Sequence, residues 1–125
     1  MQSTKLAIAI PTFERAEILL ENILSIIPQL EEHSIPLFIS DNSSDNLTEQ
    51  IVNKLNKQYK FIFYFKNRTD LGHDKNSFYV VQLPEADHVW LLGDSFSIEP
   101  NGIKEVLDLM DTSEEYGHSM ERLPH

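Results

Sequence analysis

Short apolar runs alternate with longer stretches of helical period along almost the whole chain, and that alternation leaves few architectures open. Lys5 to Ile10 is an apolar run stopped by Pro11, Ile35 to Ser40 (IPLFIS) a second, Phe61 to Phe65 (FIFYF) an aromatic third, and His88 to Leu92 (HVWLL) a fourth. Each reads as a short buried strand. Between and after them, apolar residues recur at helical spacing. Leu19, Leu20, Ile23, Leu24, Ile27 and Leu30 predict an amphipathic helix from Ala16 that ends near Pro28. Leu47, Ile51, Val52 and Leu55 predict a second; Phe78, Val81 and Leu83, closed by Pro84, a shorter third; and Ile103, Val106, Leu107 and Met110 a last one after Pro100. Strands alternating with helices predict an α/β fold of about four mainly parallel strands, with right-handed crossovers placing helices on both faces.

With 125 residues the chain suits one domain, expected over residues 1–110, with 111–125 as a polar tail poor enough in apolar residues to be disordered. A hydrophobic share of 41% is enough for a packed core. The formal net charge of −10 argues against nucleic acid as a partner, since that binding needs a concentrated basic surface. No cysteine is present, which removes disulfides, thiolate chemistry and Cys-based zinc sites and suits a reducing compartment, so a cytoplasmic location is expected. The apolar stretch near the N-terminus is too short for a membrane span; peripheral attachment to a membrane stays open.

Ligands of open parallel sheets bind beyond the carboxyl ends of the strands. Here the polar residues gather at those ends: Pro11, Thr12, Glu14 and Arg15 after the first run, Asp41, Asn42 and Asp45 after the second, Asn67 to Asp74 after the third, and Asp94 after the fourth. All of these loops are expected to open on one edge of the sheet. There is no GxGxxG or GxxxxGK[ST] element, so dinucleotide and P-loop chemistry lose their main sequence support.

Taken in order, the loops resemble the nucleotide-binding half of family 2 glycosyltransferases, which have the Rossmann-like GT-A fold. PTFER at Pro11 to Arg15 is similar to that family's Pro-Thr-aromatic-x-Arg loop. ISDNSSDNLTE at Ile39 to Glu49 resembles the loop after its second strand, which implies that Asp41 accepts a hydrogen bond from the base of a sugar nucleotide. Asp41→Ala would then weaken nucleotide binding by roughly 1–3 kcal/mol if the contact is buried. NRTDLGHDKNSF at Asn67 to Phe78 is similar to a segment lying beside the nucleotide, which implies Asp74 and Asn76 as contacts and Arg68 or Lys75 as phosphate partners. VWLLGD at Val89 to Asp94 resembles the strand entering the family's acidic metal motif. The resemblance therefore implies a nucleotide-diphosphate sugar as ligand, bound by Pro11, Thr12, Glu14, Arg15, Asp41, Arg68, Asp74, Asn76 and Asp94, and inverting glycosyl transfer as the reaction.

Two departures qualify that implication. Where the family carries consecutive acidic residues, this chain has Asp94, Ser95 and Phe96. Mn²⁺ or Mg²⁺ prefers hard carboxylate oxygens, so cation binding at Asp94 is expected to be weakened or lost. The family's acceptor half and its general base follow the stretch where this sequence stops. The acidic residues near the end, Glu114, Glu115 and Glu121, have no context to aim them at an acceptor hydroxyl. No catalytic residue is therefore assigned, and a second copy of the chain or a separate partner would have to supply the acceptor side. A noncatalytic binding or assembly module, or a truncated remnant of a glycosyltransferase, is the alternative.

Each motif also has a purely local reading. Thr12 can cap the helix that follows Pro11, SDNSSD can form Asx-turns and helix caps, and Asp94 can be a loop carboxylate satisfied by nearby amides. The histidines, His33, His73, His88, His118 and His125, lack the paired spacing of helical zinc sites. Trp90 and the aromatic strand are expected in the core.

Overall fold

The computed structural model describes residues 4–115. Strands β1 (Thr4–Thr12), β2 (Leu37–Asp41), β3 (Ile62–Lys66) and β4 (Ala86–Leu91) alternate with helices α1 (Ala16–His33), α2 (Leu47–Gln58), α3 (His73–Val80) and α4 (Gly102–Glu115). They form one parallel sheet in the order β3-β2-β1-β4, so the expected α/β class and the four strands are both present.

The strand order dictates where the helices lie. Right-handed crossovers from β1 to β2 and from β2 to β3 step in one direction and put α1 and α2 on the same face. The return from β3 to β4 crosses two strands and sends α3 over the opposite face, where it packs on β1 and β2. Helix α4 comes back to pack against α1. The principal core lies on the α1 face and is built from Leu6, Ile8, Ile10, Leu37, Ile39 and Ile62 of the sheet, with Leu19, Ile23, Ile26, Leu30, Val52 and Ile103 of the helices.

A single helix cannot cover the other face of a four-stranded sheet. The paired row Leu91, Ala9, Phe38 and Phe63 runs across all four strands on that face. Ala9 is buried, while Leu91 and Phe63 at the two ends are half-exposed. Phe38 stacks on Phe63 with ring centroids 4.9 Å apart. Two expectations are thus corrected. β4 is an edge strand rather than a buried one, although Trp90 packs against the core as expected, and of the aromatic strand Phe61, Ile62 and Tyr64 meet the core while Phe63 and Phe65 do not.

Prolines proved weaker stops than expected. β1 continues through Pro11 because the alternation of backbone groups puts its nitrogen on the β4 side, one step beyond the last β1–β4 pair, Ala9 with Leu91. α1 continues through Pro28 to His33. An interior proline costs about 3 kcal/mol, but burying Ile26, Ile27 and Leu30 around it returns roughly 2 kcal/mol each, and Pro28 itself sits on the exposed side. α4 likewise runs past Met110, so residues 111–115 of the expected tail are helical. Lys5 of β1 pairs with Asp111. Residues 116–125, with Glu121, His118 and His125, lie outside the described residues.

The end of α1 offers a direct test of local strain. Ser34 sits in the left-handed region (φ 57°, ψ 48°), and Ile35 N–H donates to Leu30 O at 2.9 Å across it. Glycine has no Cβ penalty there. Ser34→Gly is expected to raise stability by about 0.5–1 kcal/mol, read as a higher urea midpoint at unchanged slope.

No described helix is long and apolar enough to cross a membrane.

Candidate functional site

The carboxyl ends of all four strands open on one edge, and the loops there enclose a groove with two lobes. The larger, about 470 Å³, is lined by Pro11, Thr12, Phe13 and Arg15 after β1, Asn42 after β2, Asp70, Gly72, His73 and Asn76 at the start of α3, and Gly93 and Asp94 after β4. The smaller, about 380 Å³, is lined by Phe13, Glu14, Asn42, Ser43, Ser44, Lys66, Asn67, Arg68, Thr69 and Asp70. Phe13, Asn42 and Asp70 belong to both lobes and join them. Volumes of this order suit a small organic ligand.

Asp94, just after β4, lines the larger lobe. Its Oδ2 accepts from the Thr12 hydroxyl at 2.9 Å, its Oδ1 lies 3.5 Å from Nη1 of Arg15, and its backbone carbonyl accepts from Asn22 Nδ2 at 2.7 Å. Thr12 therefore spends its hydroxyl on Asp94 rather than capping α1, whose N-cap residue Arg15 makes no side-chain cap bond. Asp94 is satisfied by a hydroxyl and a guanidinium rather than by amides. Beyond it the chain turns back, Phe96 N–H donating to Gly93 O at 3.1 Å, and the Phe96 ring lies so close to Gly93 that a Cβ there would meet it at 2.7 Å.

The loop after β2 is held from beneath. Asp41 is fully buried; its Oδ1 accepts the Ser43 N–H at 2.8 Å and its Oδ2 accepts the Tyr64 hydroxyl at 2.5 Å. Burial, together with the hydrogen bond to Asp41, pushes the Tyr64 phenol far above its ordinary range and keeps it a donor. Ser43 Oγ in turn accepts the Glu14 N–H at 2.7 Å, and Ser44 Oγ donates to Glu14 Oε1 at 3.1 Å. Glu14 has φ 49°, a strained conformation fixed by these two serines. The Asx-turns expected of this polar stretch are present, at Asp41 to Ser43 and at Asp45 to Leu47 (3.1 Å).

A network of amides joins β2, β3 and α3 under the groove. Asn67 Nδ2 reaches Asn42 Oδ1 at 2.7 Å, Asn76 Oδ1 at 3.1 Å and Ser40 Oγ at 3.1 Å. Asn76 Nδ2 donates to Ser40 O at 3.0 Å, and Asn42 Nδ2 to Gly72 O at 3.3 Å. Gly72, at φ 80° and ψ 160°, holds a conformation open almost only to glycine and starts α3 without a side-chain cap.

Of the residues singled out from sequence, Pro11, Thr12, Arg15, Asn76 and Asp94 line the larger lobe, and Glu14 and Arg68 the smaller. Asp41 lies behind the wall with both oxygens taken. Asp74 and Lys75 are exposed on the first turn of α3 and line neither lobe. Sequence reasoning did not assign Phe13, Asn22, Ser43, Tyr64, Asn67 or His73 to the site. Phe13, Ser43, Asn67 and His73 lie inside the loop motifs that carry the family resemblance. Asn22 and Tyr64 carry no sequence signal, since one is a helix residue and the other a strand aromatic. Among the described residues, no three His, Asp or Glu side chains gather where they could hold a metal ion.

The sequence model of glycosyl transferase family 2 matches residues 7–122, nearly the whole chain. The chain belongs to that family. An abequosyltransferase of Salmonella typhimurium is 30% identical over 110 residues, which is 86% of this chain and 33% of that protein. This family 2 chain thus spans about a third of the length of its curated relative. Among solved structures, TarS of S. aureus, residues 1–349, superposes with a TM-score of 0.74 at 20% identity, covering 89% of this chain and 33% of that one. The same protein in complex with UDP-GlcNAc gives 0.73 at 19% identity, covering 89% and 32%. A mannosyltransferase from Pyrobaculum calidifontis in complex with GDP-Man and Mn²⁺ gives 0.66 at 11% identity, covering 80% and 30%. These likenesses establish the GT-A fold of the family for the present sheet and helices.

Proposed function

We propose that this family 2 chain binds the nucleotide-diphosphate part of a sugar donor in the two-lobed groove, as the donor side of an inverting glycosyl transfer. The carrying observation is that Pro11, Thr12, Arg15, Asn76 and Asp94, scattered over more than eighty positions of sequence, line one cavity at the ends of the strands. The ligands of the TarS and mannosyltransferase complexes, UDP-GlcNAc and GDP-Man, support the substrate class. In this reading the base and ribose take the smaller lobe beside Phe13, Glu14 and Arg68, and the diphosphate lies in the larger lobe near Arg15. Asp41 acts from behind, fixing Ser43 and through it Glu14. Asp74 is too far round α3 to line the groove and is left out of the site.

In glycosyl transfer an acceptor hydroxyl displaces the nucleoside diphosphate at the anomeric carbon, a base removes the hydroxyl proton, and positive charge steadies the leaving group. The described residues present no base aimed at an acceptor, and the reading proposed for them is the donor side alone. A divalent cation, where bound, would neutralise the diphosphate. The donor set fits it poorly: both oxygens of Asp94 are engaged, Oδ1 of Asp70 accepts from Gly72 N–H, Ser95 supplies a hydroxyl at best and Phe96 nothing. A cytoplasmic location, whose reducing conditions suit a chain without cysteine, agrees with this reading.

Isothermal calorimetry of the purified chain against UDP, GDP, CDP and dTDP tests the proposal. Saturable one-site binding of at least one of them is expected; heats of dilution from all would sink it. The half-exposed row ending in Phe63 and Leu91, with β4 as an open sheet edge, favours an assembly module as the second reading. Self-association in sedimentation velocity without nucleotide affinity would select it.

A further inference from the structure

We infer that the diphosphate subsite of this groove works without a divalent cation, with Arg15 supplying the positive charge beside Asp94. The inference rests on the nucleotide-binding reading above and concerns how the same site meets its anion.

The chemistry of the donor set comes first. A hard cation such as Mn²⁺ or Mg²⁺ needs several oxygens at short range and holds a lone carboxylate only weakly in water. Among the described residues no three His, Asp or Glu side chains gather to hold a metal ion, and the larger lobe is lined by two carboxylates, that of Asp70, whose Oδ1 accepts the Gly72 N–H at 2.8 Å, and that of Asp94. The Asp94 side chain is 12% exposed, and its two oxygens already accept from Thr12 and face Arg15. The next two positions cannot add to it: Ser95 is exposed, and the Phe96 ring is folded over Gly93, placing an apolar ring beside the turn that carries Asp94.

Arg15 fits the same electrostatic task from the other side. Its side chain is 54% exposed and lines the larger lobe, and it meets Asp94 through one nitrogen at 3.5 Å. A guanidinium carries five N–H donors, so a single long contact orients it while leaving the others for phosphate oxygens. Asp94 is then a positioning residue for Arg15 rather than a metal ligand.

The distribution of charge over the molecule agrees. On a chain of net charge −10, the arginines within the described residues are Arg15 and Arg68, and each lines one lobe of the groove. With Lys66 they offset Glu14, Asp70 and Asp94, so the groove is close to neutral where the rest of the surface is acidic. The larger lobe itself sets Arg15 against Asp70 and Asp94, so a diphosphate there meets Arg15 first, with Arg68 and Lys66 of the adjoining lobe next to it across Phe13, Asn42 and Asp70.

The test is calorimetry of the full chain with UDP, GDP, CDP and dTDP, in excess EDTA and again in excess MnCl₂, with melting curves to confirm folded variants. For the tightest of these nucleotides, affinity in EDTA is expected to stay within about threefold of that in Mn²⁺. Arg15→Gln should lose about tenfold or more in EDTA, Arg15→Lys should recover part of it, and the corresponding nucleoside without phosphates should bind the wild-type and Arg15→Gln chains alike. Asp94→Asn should bind about threefold tighter in EDTA, because it removes a repelling charge and keeps an oxygen facing Arg15. Binding that requires Mn²⁺ and is abolished by Asp94→Asn would overturn the inference while leaving the proposed function standing. No binding by any nucleotide in either condition would overturn both.

Discussion

Asp41→Ala is expected to lower the unfolding free energy by about 3–4 kcal/mol, a larger effect on stability than the loss of one ligand contact would have on affinity. The side chain is fully buried, and its removal strands two donors, the buried Ser43 N–H and the half-buried Tyr64 hydroxyl. Each unpartnered group costs about 1–3 kcal/mol, and relief from holding a buried carboxylate returns part of that sum. Urea denaturation would read the change. A variant with the wild-type midpoint would show that Asp41 does not hold the loop. Tyr64→Phe should cost less, and a double-mutant cycle with Asp41→Ala should give a coupling of about 1 kcal/mol or more. The phenol adds a dependence on pH. Its folded value is raised above the ordinary value near 10, so its contribution is complete below about pH 10 and declines as pH rises further. Wild-type stability should therefore fall more steeply above about pH 10 than that of Tyr64→Phe. Through Ser43 and Glu14, the same loss of Asp41 should also loosen the wall of the smaller lobe and weaken nucleotide binding there.

The second large effect is expected at Asn67. Asn67→Asp keeps the shape of the side chain but turns its donor end into an acceptor facing Asn42 Oδ1, Asn76 Oδ1 and Ser40 Oγ, now 2.7 to 3.1 Å away. Neighbouring amides cannot simply rotate to compensate, because Asn76 Nδ2 is committed to Ser40 O and Asn42 Nδ2 to Gly72 O. A carboxylate among oxygens in a half-buried network should cost about 3 kcal/mol. The expected result is a lower melting temperature, together with weaker nucleotide binding, because Asn42 and Asn76 line the larger lobe. Asn67→Asp with unchanged melting and unchanged affinity would show that the amides neither brace β2, β3 and α3 nor shape the groove.

Both residues illustrate how far local pattern carries. Asp41 and Asn67 were marked in the sequence by their place just after strands, and both do lie at the ligand edge of the sheet. Their tasks were not legible. A carboxylate at a strand end reads the same whether it faces a ligand or a tyrosine, and the tyrosine that takes Asp41, Tyr64, sits in what the sequence presents only as an aromatic strand.

What the sequence by itself determined was the set of elements and their order. The apolar runs and helical periods follow from burial on two faces of a sheet or one stripe of a helix, and burial is written residue by residue. The polar punctuation after each run likewise marked the edge where the groove forms, and the order of the loop motifs pointed to the family to which the chain belongs. Where the prolines were read as stops, local propensity was outweighed by packing around Pro28 and by the absence of a β4 partner on the side that the Pro11 nitrogen faces. Only the tertiary structure decided the strand order β3-β2-β1-β4, which leaves Phe63 and Leu91 half-exposed, and the meeting of Thr12, Arg15, Asn22 and Asp94. Those contacts join residues more than seventy positions apart. Their geometry depends on register and crossover handedness, which involve the whole chain at once and leave no trace in any window of it.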